Sequence, residues 1–158
     1  MAPPITVPDF CVVDANVAIK LFVAEHLSDQ AHALFQRLAE DPPARFHVPD
    51  LFYIECANIL WKYVRRLGYP AEKARQDLVD LSELLLQNTA TAALMNEALE
   101  LGLIHGIAAY DACDVALAQR LRVPLVTADE KLFRVLFAGG VNACWLGDLP
   151  LPPPPAPE

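Results

Sequence analysis

The most informative feature of the sequence is a set of acidic residues that could act together although they are far apart in the chain. Each lies at an end of an apolar segment. They are Asp14, Glu55, Asp111 and Asp129. Two of these residues follow short apolar runs typical of buried strands, and two lie in the first turns of segments with the apolar spacing of helices.

The ends of parallel strands and the starts of the helices between them meet in a crevice at the C-terminal edge of an α/β sheet. Acidic residues gathered there would repel one another, since two unit charges ~4 Å apart cost roughly 4 kcal/mol at an effective dielectric near 20. A hard divalent cation such as Mg²⁺ removes this penalty, because it takes oxygen ligands and keeps several waters. The sequence therefore predicts a metal-dependent hydrolase.

Alternating strands and helices must position these acids. We predict strands at about residues 10–14, 46–48, 87–91, 125–127 and 141–146. We predict helices at 28–40 with Ser28 as the cap, after Asp50 to about Leu67 with Gly68 as the stop, from Pro70 onward, and at 92–101 and 109–122. This order indicates a parallel sheet of four or five strands with helices on both faces, that is, a three-layer α/β/α domain.

The composition is that of one folded domain. The chain has 158 residues, of which 54% are hydrophobic and 20% charged, so we expect a single domain over residues 1–149. Residues 150–158 are rich in proline and are predicted to form a disordered tail. No uncharged apolar run reaches the ~20 residues of a membrane span, and the first residues lack the basic region of a secretory signal. We therefore expect a cytoplasmic protein without a membrane contact.

The net charge of −8 argues against a general nucleic-acid binder, which normally presents a basic face. The argument is weakened because four of the negative charges belong to the predicted metal site. Lys62, Arg65 and Arg66 form a local basic group near one helix end. This group permits a phosphate-bearing substrate but does not require one, because a solvated helix end is the simpler explanation.

The cysteine and histidine residues do not have the spacing of a metal site. The four cysteines show no C-x-x-C spacing and all fall in apolar stretches, so we interpret them as small buried hydrophobic residues. The four histidines are scattered and form no pair with the spacing of metal ligands.

Four short blocks in order resemble a known family. They are VDANVAIK from Val13, LFYIECAN around Glu55, Tyr110-Asp111-Ala112, and VTAD ending at Asp129. Their order, and the 18 residues from Asp111 to Asp129, resemble the PIN domain, in particular the small stand-alone PIN ribonucleases that act as VapC toxins. The resemblance covers residues 12–146, and it implies a PIN-like α/β/α fold.

The resemblance also implies roles for individual residues. Asp14 and Asp111 match the principal metal-binding acids of the family, and Glu55 and Asp129 match the remaining acidic pair. Two polar residues, Asn16 and Thr127, match positions that support the metal ligands.

The implied activity is a Mg²⁺- or Mn²⁺-dependent endoribonuclease whose products carry a 5′-phosphate and a 3′-hydroxyl. Hydrolysis of a phosphodiester needs an activated water and neutralisation of developing charge, and such an ion supplies both. Glu55 or Asp129 would accept the proton of the water if it is not a direct ligand. The resemblance further implies a toxin of a type II toxin–antitoxin pair, a homodimer, and an antitoxin whose tail obstructs the acidic crevice.

Apolar residues in the two helices after Asp50 and Pro70 suggest where such a dimer forms, because we do not expect a domain of this size to bury all of them. They are Leu51, Phe52, Trp61, Leu78, Leu81, Leu84, Leu85 and Leu86.

Simpler explanations exist for each acid taken alone. Asp14 could satisfy a turn, Glu55 and Asp111 could favour a helix N-terminus, and Asp129 could cap a short helix at 131–136. Asp114 lies one turn after Asp111, and it either supports the metal ligands or faces water. The joint occurrence in order favours one site.

Other functions fit less well. A haloacid-dehalogenase-like phosphatase requires an Asp two positions after the first one, where this chain has Asn16. A receiver-like signalling domain requires a phosphoacceptor aspartate after the central strand and a lysine near the last strand, and neither is evident in this sequence. The remaining alternative is a catalytically silent PIN-like module that binds RNA or protein.

Overall fold

The computed structural model describes residues 5–157, so the first four residues and residue 158, which belong to the predicted domain and tail, lie outside the described residues. One parallel sheet of five strands has the order β3-β2-β1-β4-β5. The strands are β1 (Phe10–Val13), β2 (Arg45–Pro49), β3 (Gln87–Thr89), β4 (Leu125–Thr127) and β5 (Ala143–Trp145). The helices are α1 (Ala15–Ala18), α2 (Ser28–Gln36), α3 (Leu51–Leu67), α4 (Ala71–Ser82), α5 (Met95–His105), α6 (Ala109–Leu121) and α7 (Glu130–Ala138).

The central strand β1 is apolar because helices cover both of its faces, as in other parallel sheets. Cys11, Val12 and Val13 are all fully buried. Cys11 and Val13 pack into one hydrophobic cluster, and Val12 packs into another, which is the alternation expected of a strand. The sheet therefore separates two cores, and the predicted three-layer α/β/α fold with a parallel sheet is confirmed.

The first core lies under α1 to α4 and includes Phe46, Phe52 and Leu60. The second core lies under α5 to α7 and includes Leu117 and Leu136. Helix α6 contributes most to the second core, because all of its residues from Ala112 to Ala118 are buried.

Several predicted element bounds differ from the structure. The predicted helix 28–40 is an α-helix only to Gln36 and then tightens into a 3₁₀ turn, Arg37–Ala39. The predicted helix 92–101 begins later, at Met95, after a 3₁₀ turn, and extends to His105. Gly68 ends α3 with φ of 69°, the left-handed conformation that glycine adopts without strain, as predicted.

The prediction that Ser28 caps α2 is wrong. The Ser28 hydroxyl accepts a hydrogen bond from the Glu25 amide at 3.0 Å and donates to the Val23 carbonyl at 3.2 Å. It therefore closes the turn before the helix. Leu27 precedes the helix with φ of 68°, a conformation that non-glycine residues rarely adopt.

Of the eight apolar residues proposed for a dimer interface, three are buried, three are partly buried and two are exposed. Phe52, Leu81 and Leu86 are buried in the first core, so they are not available to a partner, and that part of the prediction is wrong. Trp61 and Leu85 are exposed. Further exposed apolar side chains form a stripe on α5 that the sequence interpretation omitted; they are Met95, Leu99, Leu103 and Ile104.

All four cysteines are free, and three of them are buried. Residues 150–157 are exposed and contain neither helix nor strand. No single helix within residues 5–157 has the length and apolar composition of a membrane span; α5 and α6 meet that test only jointly, with a bend of 111° between them.

Candidate active site

The pairing of β1 with β4 brings Asp14 and Thr127 together. Val13 pairs with Val126, and the Asp14 amide donates to the Val126 carbonyl at 3.0 Å. The next residue on each strand therefore reaches the C-terminal edge of the sheet at the same level. There the Thr127 hydroxyl donates to Asp14 Oδ2 at 2.9 Å.

Asn16 joins the same two strand ends from the first turn of α1. Its amide nitrogen donates to Asp14 Oδ2 at 3.1 Å, and its oxygen accepts from the Ala128 amide at 3.0 Å. The Thr127 hydroxyl also accepts from the Asp129 amide at 3.1 Å. One Asp14 oxygen is thus held by two donors that are themselves fixed by backbone groups.

Asp129 begins α7. One oxygen, Oδ1, accepts from the Leu132 amide at 3.0 Å, so Asp129 caps this helix, as considered from the sequence. Its side chain is exposed. The cap employs one carboxylate oxygen and leaves the second available to a ligand.

Glu55 and Asp111 come from the two helices beside the crevice, and both are half-buried. Glu55 lies one turn into α3, whose start is fixed by Thr91: the Thr91 amide donates to Asp50 Oδ1 at 2.8 Å, and the Leu51 amide donates to Thr91 Oγ1 at 3.0 Å. This support was missed in the sequence, although an aspartate just before a helix is a familiar start signal.

Asp111 lies in the first turn of α6, which has no side-chain cap. Ala108 precedes the helix in an extended conformation, and the Ala112 amide donates to its carbonyl at 3.0 Å. The helix therefore starts regularly without the serine or threonine that is absent from this position.

Asp114 does not face water, so that alternative is wrong. Its residue is only 2% exposed, because α6 is surrounded by the sheet and by α5. It is close enough to Asp14, Glu55 and Asp111 for their charges to raise its pKa, in addition to the larger effect of its own burial, and the pKa lies well above the ordinary value. Asp114 therefore lies inside the crevice region with the other acids.

The pKa values of the acids are raised because these groups are buried and lie close to one another. Burial raises the pKa of Asp14 to about 6, with a smaller contribution from Asp111, against the lowering effect of the Thr127 hydrogen bond. Burial and the charges of Asp14 and Asp111 raise the pKa of Glu55 to about 7. The pKa of Asp111 is raised by burial and by Asp129. Each acid thus destabilises the ionised form of its neighbours.

These residues fit a hard divalent cation. None of the ion pairs formed within residues 5–157 involves one of the five acids, so the chain supplies no compensating lysine or arginine there. Within the same residues, no three His, Cys, Asp or Glu side chains converge closely enough to ligate one ion directly. This combination suits a divalent cation that is bound through one or two carboxylates and keeps several waters.

The sequence profile of the PIN domain matches residues 11–137. This chain belongs to the PIN domain family. Ribonuclease VapC3 of Pyrobaculum aerophilum is 36% identical to it over 123 residues, which cover 77% of this chain and 90% of the relative.

Solved structures with low sequence identity share the PIN fold. The crystal structure of PAE2754 from Pyrobaculum aerophilum superposes with a TM-score of 0.62 at 23% identity, covering 87% of this chain and 90% of that one. VapC20 of Mycobacterium tuberculosis, a Sarcin-Ricin loop cleaving toxin, has a TM-score of 0.58 at 16% identity, covering 83% of this chain and 95% of that one.

Proposed function

We propose that this PIN domain protein is a Mg²⁺- or Mn²⁺-dependent endoribonuclease that hydrolyses RNA phosphodiester bonds. The observation that carries the proposal is the gathering of Asp14, Glu55, Asp111 and Asp129 at one edge of the sheet, where none of them forms an ion pair within residues 5–157. RNA as the substrate is supported by the related Pyrobaculum protein, which is named a ribonuclease.

Asp14 and Asp111 would bind the metal directly, and Glu55 and Asp129 would contact it through its bound waters. When bound, such an ion lowers the pKa of a coordinated water and neutralises the charge that develops on the phosphate. The chain prepares the site in advance, because Thr127 and Asn16 fix the orientation of Asp14. The acid that remains uncoordinated, Glu55 or Asp129, takes the proton from the attacking water.

The proposed roles predict the products and the place of Asp114. In-line attack by water leaves a 5′-phosphate on one product and a 3′-hydroxyl on the other.

Asp114 lies too deep to meet the RNA itself, since it is 2% exposed. It supports the metal-binding acids from behind as a positioning residue.

A cleavage assay tests this function. Purified protein should cut single-stranded RNA with Mg²⁺ or Mn²⁺ and stop on addition of EDTA. Asp14→Asn and Asp111→Asn should each lower the rate by about 10²-fold or more, on the scale of losing one electrostatic stabiliser. Glu83→Gln, which removes an exposed acid directly after α4, is the matched control.

Two results would contradict the proposal. Undiminished cleavage by both asparagine variants would place the chemistry elsewhere. Binding of RNA by the parent without any metal-dependent cleavage would instead identify a catalytically silent PIN-like module.

We further propose that the protein is the toxin of a type II toxin–antitoxin pair in the cytoplasm. An inhibitor of this crevice should present arginine or lysine where the metal or the substrate would sit, by charge complementarity. The exposed α5 stripe of Met95, Leu99 and Leu103 has the spacing of one helix face, and it supports a homodimer. Co-purification with the product of the adjacent gene should abolish cleavage, and full activity in a stable complex would contradict an occluding antitoxin.

A further inference from the structure

An open groove of about 760 Å³ begins at the candidate active site and runs along α3. Glu55 lines its start, and Tyr110, the residue before Asp111, lines the facing side. Ile54, Asn58 and Trp61 complete the α3 wall. The groove is therefore continuous with the acidic crevice, and it has the volume of a small-ligand site.

Two aromatic side chains in this groove have more than half of their surface exposed to solvent. Trp61 is 54% exposed and Tyr110 is 64% exposed. Ile54, Asn58 and Trp61 recur at intervals of four and three residues, so they share one face of α3. Large aromatic rings left open beside a charged crevice provide flat surfaces on which a nucleobase can stack.

Cationic groups lie at the far end of the same helix. Lys62 lines the groove, and Arg65 and Arg66 follow one turn later. Within residues 5–157, half of the twelve lysines and arginines are held in ion pairs with acids, whereas these three are not. The helix dipole alone would favour Arg65 and Arg66 in the last turn, but it does not place Lys62 in the groove.

We propose that this groove binds an unpaired nucleotide of the RNA next to the bond that is cleaved. The base stacks on Trp61 and Tyr110, and the phosphate that follows it pairs with Lys62. The arrangement explains how a protein with a net charge of −8 holds RNA: stacking supplies attraction that does not depend on charge, and one local cation supplies the phosphate contact. The inference rests on the proposed function, which it extends to the conformation of the substrate.

The test measures binding separately from cleavage. Asp111→Asn serves as the background, so that a fluorescein-labelled RNA decamer stays intact during fluorescence anisotropy titrations. A second decamer carries the same sugar-phosphate chain with its central bases removed. Trp61→Ala should weaken binding of the complete decamer about tenfold or more, and it should leave binding of the decamer without central bases unchanged.

Three further variants sharpen the result. Trp61→Phe, which keeps a ring, should restore binding to within about threefold of the background protein. Lys62→Gln should weaken both decamers and flatten the dependence of log affinity on log salt by about 0.7, the value for one phosphate contact on a single strand. Leu67→Ala removes an apolar side chain of α3 that is 71% exposed and lies outside the groove, so it should bind like the background.

Other outcomes would overturn the inference. Equal losses for the two decamers, or no loss, would show that Trp61 does not contact a base. A change of Trp61→Ala from dimer to monomer in light scattering, with RNA binding intact, would assign the groove to a protein partner. If the parent does not cleave RNA but Trp61 still distinguishes the two decamers, the proposed catalysis fails while the nucleotide site stands.

Discussion

The Thr127 hydroxyl donates a hydrogen bond of 2.9 Å to Asp14 Oδ2 across 113 residues of sequence. Both groups are buried, and they meet because β1 and β4 are neighbours in the sheet. The bond favours the ionised carboxylate and opposes the effect of burial on the Asp14 pKa. Asp14 is thereby kept closer to the form that binds a metal.

Removing this donor should move the pH dependence of cleavage. Thr127→Val retains the shape of the side chain but leaves Asp14 Oδ2 without the hydroxyl, so the pKa of Asp14 should rise further. The rate should then decline at a higher pH on the acid side of the profile, with about a tenfold loss near neutral pH. Rate measurements at several pH values test this, and Thr127→Ser should restore the parent profile. A profile of Thr127→Val that matches the parent would contradict the role of the bond.

Glu55 should make the metal-free protein less stable as the pH rises. Its pKa is about 7 in the folded protein, above the ordinary value of 4.5, so between these values the unfolded chain loses a proton that the folded protein retains. The free energy of unfolding therefore falls as the pH rises through this window, and the full stability is present only below it. Glu55→Gln removes this pH-dependent contribution to the free energy of unfolding, because glutamine does not ionise.

Thermal melts in EDTA at pH 4.5 and pH 8 measure the difference. The melting temperature of Glu55→Gln relative to the parent should be higher at pH 8 than at pH 4.5. Glu83→Gln, at an exposed position directly after α4, controls for the loss of one surface carboxylate. A constant difference for Glu55→Gln would exclude a raised pKa for this group.

Asp129 should contribute to stability in two opposite ways. Its charge adds to the repulsion in the crevice, as the raised pKa of Asp111 indicates, whereas its Oδ1 caps α7. Asp129→Asn retains a capping oxygen and removes the charge, so the metal-free variant should be as stable as the parent or more stable. Asp129→Ala loses the cap and should be less stable than Asp129→Asn by about 1 kcal/mol. Urea unfolding in EDTA measures both.

The same variants test the metal. Added Mg²⁺ should raise the melting temperature of the parent more than that of Asp129→Asn, because a ligand that binds only the folded state stabilises it according to its affinity. Equal shifts in the two proteins would place Asp129 outside the metal site.

The α5 stripe predicts a dimer at micromolar concentration. Leu103 is 71% exposed and lies one turn from Leu99, which is 56% exposed. Leu103→Glu would place a charge in an apolar interface and should shift light scattering from dimer to monomer. Leu67→Glu, at a position of α3 that is 71% exposed and outside both sets of residues considered for the dimer, is the control. A parent protein that is already monomeric would count against this interface.

The sequence predicted those strands and helix ends whose residue pattern directly reflects their burial or their backbone conformation. The apolar run of β1 marks a strand buried on both faces, and Gly68 marks the end of α3. The order of the acids along the chain was sufficient to place them at one edge of the sheet, because parallel strands have their C-terminal ends together.

Features that depend on tertiary packing could not be predicted from the sequence. Asp114 could not be placed because α6 is buried nearly all round, and a helix without a polar face has no periodicity to interpret. The bond from the Ala128 amide to Asn16 and the Thr91 support of α3 join residues far apart in sequence. Such contacts depend on strand register, which local patterns do not specify.

The position of Asp14 directly after β1 has a consequence for how the protein can lose activity. β1 has a paired strand on each side and hydrophobic packing on both faces, so it belongs to the part of the molecule that opens only when the whole fold opens. The Val13 and Asp14 amides should therefore exchange hydrogen with solvent as slowly as any in the chain. Heat should abolish metal binding and the native fold in a single transition, and a folded form that lacks only its acidic site should not accumulate.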